Sequence, residues 1–205
     1  MAMAKGTLYT ISAPSGAGKT SLVKALLDSV EGIGVSVSHT TREKRPGEEH
    51  GVDYFFVSHE AFIAMVEDSA FLEHAQVFRN RYGTSQKAVE ETLQSGRDVI
   101  LEIDWQGMQQ VKKLRPDCVA VSIVPPSLAA LEARLRGRES DSDEEIAHRM
   151  AQAKEEVSHF AECDYLVIND DFETALNELK SIVIAHRLQV ERQAERHQAL
   201  LSALT

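Results

Sequence analysis

Residues 12–20 read SAPSGAGKT and combine the residue types that bind a chain of phosphates. Gly16 and Gly18 let backbone N–H groups approach phosphate oxygens, because neither residue has a side chain in the way. The Lys19 ammonium can reach the terminal phosphates, and the Thr20 hydroxyl can hold magnesium directly or through a water. We therefore predict a loop that binds ATP through Ala13, Pro14, Ser15, Gly16, Ala17, Gly18, Lys19, Thr20 and Ser21.

The usual pattern for such a loop, GxxxxGK[ST], has a glycine at the position that Ala13 occupies in this chain. Alanine carries only a methyl group, so the turn can still form if the φ angle of Ala13 stays negative. The alternative interpretation is a glycine-rich turn followed by a chance Lys-Thr pair. A strand-like run before the loop and a helix-like run after it favour the phosphate-binding interpretation.

The elements around this loop follow an alternating pattern. Short apolar runs rich in β-branched residues alternate with longer stretches of helical period, which is typical of a parallel sheet with helices on its faces. The predicted fold class is α/β, a three-layer P-loop NTPase fold with a parallel sheet. The predicted strands are 7–13, 35–38, 99–103, 119–124 and 165–168, and the predicted core helices begin near Lys19, Asp104, Ser127 and Asp171.

Two stretches interrupt the alternation, and a third ends it. Residues 40–96 contain turn residues, a strand-like YFFVS and two helical stretches, which is too much for one crossover and indicates an inserted subdomain. Residues 137–145 are polar and acidic, and Ser142 with Glu145 forms a capping box for a following helix, so we expect a small lid there. Residues 171–203 predict one long terminal helix, whose polar end leaves open a solvated surface or a contact within a homo-oligomer.

Composition limits the other classes of function. The 22 Lys and Arg residues against 32 Asp and Glu residues give a net charge of −10, which argues against general binding to nucleic acid or to an anionic membrane. No apolar run approaches the roughly 20 residues of a membrane span, and we expect a cytoplasmic protein. The two cysteines, Cys118 and Cys163, are too few and too distant for a disulfide scaffold and predict reduced thiols.

Five further segments resemble guanylate kinases in sequence and in order: SVSHTTREKRPGEEHGVDYFF, FLEHAQVFRNRYGTS, EIDWQG, RLRGR and VINDDF. The resemblance extends from about residue 6 to residue 187. It implies a kinase that transfers phosphate from ATP to GMP, and to dGMP, with Mg²⁺. It also implies a core (1–38, 97–126 and 163–205), a GMP-binding subdomain (39–96) and a lid region (127–162).

The acceptor phosphate is assigned through two arginines and two tyrosines. Arg42 and Arg45 are three residues apart in a loop, a spacing that can direct two guanidinium groups onto one phosphate. Taken alone, such arginines are more often solvated than bound to a ligand. The resemblance implies that Arg42 and Arg45, together with the phenol groups of Tyr54 and Tyr82, bind the phosphate of GMP.

The guanine base is assigned through carboxylates and hydroxyls. Guanine presents N1–H and a 2-amino group as donors where adenine presents an acceptor, so a carboxylate at that edge distinguishes the two bases. Each carboxylate taken alone would be read as a solvated charge. The resemblance implies that Glu73 and Asp104 contact this edge and that Ser38 and Thr84 contact the base through their hydroxyls.

The ATP side is assigned mainly through the lid. Arg134 and Arg138 are four residues apart on a predicted helix and share one of its faces, for which a solvated basic face is the alternative. The resemblance implies that these two arginines and Arg149 cover the phosphates and, with Lys19 and Arg42, catalyse the transfer. It places the adenine of ATP near Asn169 and makes Glu102 a candidate magnesium ligand.

Three other functions remain open. A guanylate-kinase-like module that binds phosphopeptides is disfavoured, because such modules characteristically lack the loop lysine that Lys19 supplies. A kinase of another phosphorylated acceptor, such as AMP, is disfavoured by Glu73 and Asp104, and a GTPase by the lack of an NKxD-like motif. Departures from the commonest family pattern at Glu102, Arg81 and Glu139 affect fine geometry rather than the class of reaction.

Overall fold

The computed structural model describes residues 5–77, 79–137 and 142–204. The strands are β1 (Leu8–Ser12), β2 (Ile33–Val35), β3 (His39–Thr40), β4 (Phe55–Phe56), β5 (Phe71–Val77), β6 (Asn80–Ser85), β7 (Asp98–Glu102), β8 (Val119–Val124) and β9 (Tyr165–Ile168). The helices are α1 (Lys19–Ser29), α2 (His59–Glu67), α3 (Gln86–Gln94), α4 (Trp105–Leu114), α5 (Leu128–Arg136), α6 (Asp143–Ser158), α7 (Phe172–Arg187), α8 (Val190–Arg196) and α9 (Gln198–Leu204), with a 3₁₀ turn at Phe160–Glu162.

The larger sheet is parallel, with the strand order β2-β7-β1-β8-β9. Its central strand β1 is buried along its whole length, which fits the β-branched and apolar residues that predicted it. This parallel sheet with its flanking helices confirms the predicted α/β class. Because ligands of open parallel sheets bind beyond the carboxyl ends of the strands, the loop after β1 stands at the expected edge.

Helices cover both faces of this sheet. One apolar cluster joins Tyr9 of β1 to α1 and α7 through residues such as Leu26 and Leu179. The other joins the neighbouring Leu8 to α3, α4 and β7, with Val111 of α4 among its members. Successive residues of β1 thus face opposite layers, as the two-residue period of a strand requires. The result is the predicted arrangement of three layers.

The smaller sheet has the order β4-β3-β6-β5, and all its strands lie between residues 39 and 85. β3 pairs with β4 in parallel and with β6 in antiparallel, and β5 pairs with β6 in antiparallel. Phe62 of α2 stacks on Phe71 of β5, with ring centroids 4.7 Å apart, and so fixes the helix to the sheet. The register of β5 shifts between Phe71 and Glu73, which marks a β-bulge at the start of the strand.

The predicted strands 7–13 and 99–103 differ from β1 and β7 by one residue at each end, and two other predicted elements are wrong by more. The predicted strand 35–38 overlaps the observed β2 only at Val35, because β2 begins earlier and pairs with β7 from Ile33. The predicted terminal helix 171–203 is three helices, α7, α8 and α9. The first break follows Arg187, whose side chain binds Asp98 and the Glu31 carbonyl oxygen.

Gln189 after this break has a φ angle of −57° and a ψ angle of 141°, and this ψ angle is not helical. The Gln193 side chain donates to the Arg187 carbonyl oxygen at 2.8 Å and takes the place of the next helical turn. No glycine or proline marks this break, so the sequence pattern gave no signal for it.

The capping box predicted from Ser142 and Glu145 is confirmed. The Ser142 hydroxyl accepts from the Glu145 N–H while the Glu145 side chain accepts from the Ser142 N–H, the reciprocal pair of a capping box. Asp171, Asp104 and Ser127 cap α7, α4 and α5 in the same way, each accepting from an N–H three residues later. Among the described residues, no helix is both long and apolar enough to cross a bilayer.

Candidate active site

The loop between β1 and α1 has the backbone geometry of an anion site. Gly16 and Gly18 have φ angles of 92° and 93°, a region that glycine enters without strain. No side chain caps α1, so its first N–H groups are left for a ligand. Ser69 is the one non-glycine residue with positive φ among those described, so Ala13 meets the condition under which alanine fits this loop.

Lys19 begins α1, and its side chain points toward the carboxyl edge of the sheet. Its Nζ donates to the Ile103 carbonyl oxygen at 3.2 Å, just beyond the end of β7. Burial lowers the pKa of Lys19, whereas the charges of Glu102, Glu156 and Asp104 act to raise it. The ammonium of Lys19 therefore lies near one carboxylate at the end of β7, one just after it and one on α6.

Asn169, which the sequence assigned to the adenine of ATP, follows β9 and supports the phosphate loop. It is 5% exposed, and its Nδ2 donates to the Ala17 carbonyl oxygen at 2.6 Å. A Cβ at Gly18 would lie 2.4 Å from this Nδ2, so glycine is required there for space as well as for its φ angle. The amide nitrogen of Asn169 is thus committed to holding the loop in shape.

Two of the three predicted lid arginines reach the loop region. Arg134 of α5 donates through Nη2 to the Asn169 carbonyl oxygen at 2.8 Å. Arg149 of α6 donates through Nη1 to the Ser15 hydroxyl of the phosphate loop at 3.1 Å. Leu131 of α5 belongs to a buried cluster with Ala153 of α6, which ties the two helices together. Arg138, the third predicted arginine, lies outside the described residues.

Three of the four predicted acceptor-phosphate residues lie close together: Arg42, Tyr54 and Tyr82. The guanidinium carbon of Arg42 lies 5.4 Å from the centroid of the Tyr54 ring, and this ring lies 5.9 Å from that of Tyr82. The hydrogen bond of Arg42 to Glu48 raises the pKa of its guanidinium. Arg45 is on the same loop, but its side chain is exposed and makes no hydrogen bond or ion pair within the described ranges.

Glu48 is a residue of this site that the sequence analysis missed. Its Oε1 accepts from Arg42 Nη2 at 2.6 Å, and its Oε2 accepts from the Arg45 backbone N–H at 2.8 Å. One carboxylate thereby fixes both the Arg42 guanidinium and the turn that carries Arg45. The spacing to Arg45 was visible in the sequence, but Glu49 directly beside Glu48 has the same chemistry and left the choice open.

The predicted base-binding carboxylates lie on two different elements. Glu73 is on β5, and its Oε1 accepts from the Thr84 hydroxyl across the sheet at 2.5 Å. Asp104 caps α4 by accepting from the Gly107 N–H at 2.8 Å. A Cβ at Gly107 would lie 3.3 Å from Glu73 Oε2, so the missing side chain lets the carboxylate approach the helix. Ser38, the remaining predicted contact, is partly buried in the segment before β3.

The pKa of Glu73 lies above the ordinary glutamate value. Burial raises the pKa of Glu73, the hydrogen bond from Thr84 lowers it, and the charge of Asp104 raises it again. Further hydrogen bonds donated to this carboxylate would favour its ionised form.

Glu156 of α6 is a second carboxylate that sequence reasoning missed. Its Oε1 is buried and has no hydrogen-bond partner among the described residues. Burial and, to a smaller extent, the charge of Asp104 raise the pKa of Glu156 to about 7, although the charge of Lys19 acts to lower it. The helical pattern of α6 gave no reason to separate Glu156 from Glu155, which is exposed.

A magnesium ion accompanying ATP would find oxygen donors near the loop. Mg²⁺ typically takes one or two protein oxygens and fills its other positions with waters and substrate phosphates. The exposed Thr20 hydroxyl at the start of α1 and the partly buried Glu102 at the end of β7 suit such a sparse set. No group of three or more His, Cys, Asp or Glu side chains in the described ranges forms a metal cage, which the sparse set does not require.

The chain was compared with known proteins and solved structures. It matches the family model "Guanylate kinase" over residues 5–186. It is 63% identical over 199 residues to a guanylate kinase of Saccharophagus degradans, with 97% of each chain covered. It is 57% identical over 204 residues to that of Escherichia coli strain K12, with 98% of this chain and 99% of the relative covered.

The fold comparison agrees with the sequence comparison. A crystal structure of guanylate kinase from Anaplasma phagocytophilum is similar to this chain with a TM-score of 0.73 and 32% sequence identity, over 94% of this chain and 92% of that one. The matched range includes the phosphate loop, the arginine and tyrosine cluster and both base-edge carboxylates. On these grounds the chain belongs to the guanylate kinase family.

Proposed function

We propose that this chain catalyses the transfer of phosphate from ATP to GMP, giving ADP and GDP, with dGMP as a further acceptor. One relationship carries the proposal. Lys19 of the phosphate loop binds the Ile103 carbonyl oxygen, next to Asp104, and Asp104 caps α4 at Gly107, against which the Glu73 carboxylate packs. The proposed donor-phosphate site and base-edge site are therefore adjacent, as direct transfer between two bound nucleotides requires.

The donor half of the site binds ATP through residues 13–21, with Lys19 on the terminal phosphates. Arg134, Arg149 and Arg138 neutralise the charge that develops on the transferred phosphoryl group. The contact of Arg149 with Ser15 supports this role, because it brings a lid arginine to the loop. Asn169 holds the loop and borders the adenine.

The acceptor half binds GMP across the smaller sheet. Arg42, Arg45, Tyr54 and Tyr82 bind its phosphate, and Glu73, Asp104, Ser38 and Thr84 read its base. The acceptor phosphate has a second pKa near 6 and is mostly a dianion at neutral pH, so transfer needs alignment and charge neutralisation rather than a general base. Phosphate and base are thereby fixed at opposite ends of one substrate.

Thr20, directly or through a water, and Glu102 would hold the magnesium ion that accompanies ATP. Such an ion neutralises charge on the nucleotide phosphates and leaves this chain's residues to orient them. The sparse oxygen set at the loop supports this assignment. Thermal stabilisation by ATP with and without Mg²⁺, in the wild type and in Glu102→Gln, tests it without turnover.

The proposal includes a division of the chain into a core (1–38, 97–126 and 163–205), a GMP-binding subdomain (39–96) and a lid region (127–162). The confinement of the smaller sheet to residues 39–85 supports the subdomain. The resemblance to guanylate kinases supports a cytoplasmic location, and the net charge of −10 argues against nucleic acid as a partner. A homo-oligomer remains a prediction that sedimentation of the full chain tests.

A panel of acceptors tests the function. ATP and Mg²⁺ are offered with GMP, dGMP, AMP, UMP or IMP in separate reactions, and ADP formation is followed. We expect GMP turnover to exceed AMP turnover by about 10⁴-fold, because buried acceptors that meet no donor reject the wrong base. Comparable rates with AMP would reject the guanine assignment, and GMP binding without turnover would indicate a binding module.

A lysine pair on α1 separates chemistry from folding. Lys19→Met should abolish transfer, whereas Lys24→Met, on the exposed side of the same helix, should leave it unchanged. Circular dichroism of both variants checks that the fold survives. Full activity of Lys19→Met would remove the phosphate loop from the reaction.

A further inference from the structure

We propose that Gln110 is a positioning residue for guanine selection: it fixes β5 against α4 and thereby sets the spacing between Glu73 and Asp104. The inference rests on the proposed function, because it assigns a task to Gln110 within the base pocket. Among the described residues, Gln110 makes no hydrogen bond to the phosphate loop, to Glu73 or to Asp104. Its effect passes through the backbone of His74, the residue after Glu73.

The contact is a closed pair of hydrogen bonds. The His74 backbone N–H donates to Gln110 Oε1 at 3.1 Å, and Gln110 Nε2 donates to the His74 carbonyl oxygen at 3.2 Å. An amide side chain is well suited to this, since it offers one acceptor and two donors in a plane. The Gln110 side chain thus binds both backbone polar groups of His74. This fixes the position of β5 along its own axis and its distance from α4.

The position of β5 explains why such a clamp is needed. β5 is the outer strand of the smaller sheet, and β6 pairs with it on one side only. The outward N–H and C=O groups of an edge strand have no strand partner and must be satisfied elsewhere. The β-bulge between Phe71 and Glu73 further interrupts the pairing that would otherwise fix the register of Glu73. Gln110 provides that fixation one residue later.

The helix side of the contact leads directly to Asp104. Gly107 lies one turn before Gln110 on the same face of α4, and its N–H is bound by Asp104. The same Gly107 leaves the space into which Glu73 Oε2 packs. A shift of β5 relative to α4 would therefore change the separation of the two carboxylates. Guanine offers two adjacent donors, so such a shift weakens its recognition more than it weakens phosphate binding.

The test uses neighbouring glutamines of α4. Gln110→Met keeps the length of the side chain and removes both hydrogen bonds, and Gln109→Met removes a surface hydrogen bond to Glu162. We expect Gln110→Met to raise the KM for GMP and lower the GMP to AMP ratio of kcat/KM by about 5- to 20-fold. The kcat at saturating GMP and the KM for ATP should change less than twofold, as should every parameter of Gln109→Met.

Binding without turnover gives a second readout. Trp105, the single tryptophan of the chain, follows Asp104 directly, so its fluorescence can report GMP binding in the absence of ATP. We expect the Kd for GMP in Gln110→Met to rise by the same factor as its KM. A lower melting temperature with an unchanged Kd and an unchanged GMP to AMP ratio would show a merely structural role and overturn the proposal.

A double-variant cycle tests whether Gln110 acts through Glu73. In the Glu73→Gln background, Gln110→Met should add less than about twofold to the loss, because the group that it positions is already altered. If the loss in the double variant equals the product of the losses in the two single variants, the proposal is overturned. If Gln110→Met does not fold, Gln110→Glu retains the acceptor for the His74 N–H and serves in the same cycle.

The wild-type enzyme separates failure of this inference from failure of the proposed function. No preference for GMP in the wild type would reject the function itself, and the inference with it. A preference for GMP that Gln110→Met retains in full would reject the inference alone.

Discussion

Arg149 of α6 donates a hydrogen bond to the Ser15 hydroxyl, with Nη1 3.1 Å from Oγ, so α6 reaches the phosphate loop. The contact joins residues that are 134 positions apart in the sequence. The position of Arg149 suits an arginine that compensates charge on a transferred phosphoryl group. Charged side chains stabilise a transition state best when they are already in place before the reaction.

Replacing Arg149 by Met should therefore lower kcat by about 100-fold while the KM for GMP changes little. Arg136→Met is the matched control, since Arg136 is also in the lid region but pairs on the surface with Glu132 and Asp143. Steady-state kinetics of both variants gives the kcat and the KM for GMP that test this prediction. Equal losses in the two variants would indicate a general effect of charge instead of a specific role.

The pairing of Glu48 with Arg42 predicts a positioning effect on the acceptor phosphate. Glu48→Gln weakens the charge-assisted hydrogen bond to the guanidinium and should raise the KM for GMP by about tenfold. Glu49→Gln, one residue along the chain and exposed, should leave the KM unchanged. A lower KM in Glu48→Gln would mean that Glu48 competes with the phosphate and does not orient Arg42.

Glu73 predicts a particular pH dependence of GMP binding. Since burial raises its pKa, Glu73 becomes protonated at a higher pH than an ordinary glutamate and then loses its acceptor function toward guanine N–H donors. The KM for GMP should therefore rise as the pH falls from 8 to 5.

The GMP phosphate also titrates in this range, with a second pKa near 6. The Glu73→Gln variant separates the effect of this phosphate titration on the KM from the effect of Glu73. The variant retains the phosphate titration but lacks the carboxyl group. The ratio of the variant KM to the wild-type KM should fall toward 1 as the pH is lowered. A ratio that stays constant from pH 8 to pH 5 would exclude a titrating Glu73 from base binding.

Glu156 predicts a pH-dependent change in stability. Its folded pKa of about 7 lies above the ordinary value of 4.5, so the folded protein binds more protons than the unfolded chain between these values. Stability is then lost as the pH rises from about 4.5 to about 7, and the loss is complete above that range. Lys19, Asp104 and His159 are the charged or titratable groups that act on Glu156.

Glu156→Gln removes the buried charge, so its melting temperature relative to wild type should increase by about 2 to 4 °C between pH 5 and pH 8. Glu155→Gln, next to it and exposed, should show no such trend. Thermal unfolding at pH 5, 6, 7 and 8 measures the difference. A Glu156→Gln difference that is the same at every pH would refute the buried-carboxylate interpretation.

Much of the fold could be predicted from local patterns. The strands at 119–124 and 165–168 were predicted at their observed bounds, because short runs of β-branched residues between polar turns admit few alternatives. Caps at Ser142 and Asp171 marked the helix starts, since a side chain that accepts from an N–H three residues later acts locally. The break after Arg187 was missed because its causes, Asp98 and the Glu31 carbonyl, lie about 90 and 156 residues away in the sequence.

The site was predictable where a motif names its residues and not where neighbours share a chemistry. The phosphate loop follows from residue types at fixed spacing, whereas the grouping of Arg42 with Tyr54 and Tyr82 followed only from the resemblance to guanylate kinases. The choices between Glu48 and Glu49 and between Gln109 and Gln110 depend on which side chain faces a distant strand or turn. Tertiary packing determines which of two neighbouring side chains makes the contact, and a single sequence does not show that packing.

The proposed function requires that the enzyme transfer phosphate from ATP to a guanine nucleotide in preference to an adenine nucleotide. An internal competition measures this preference: equimolar GMP and AMP react together with ATP labelled in its γ-phosphate, and the labelled diphosphates are then separated. We predict at least about 1,000-fold more label in GDP than in ADP, since their ratio equals the ratio of kcat/KM values. Similar labelling of GDP and ADP would contradict the claim.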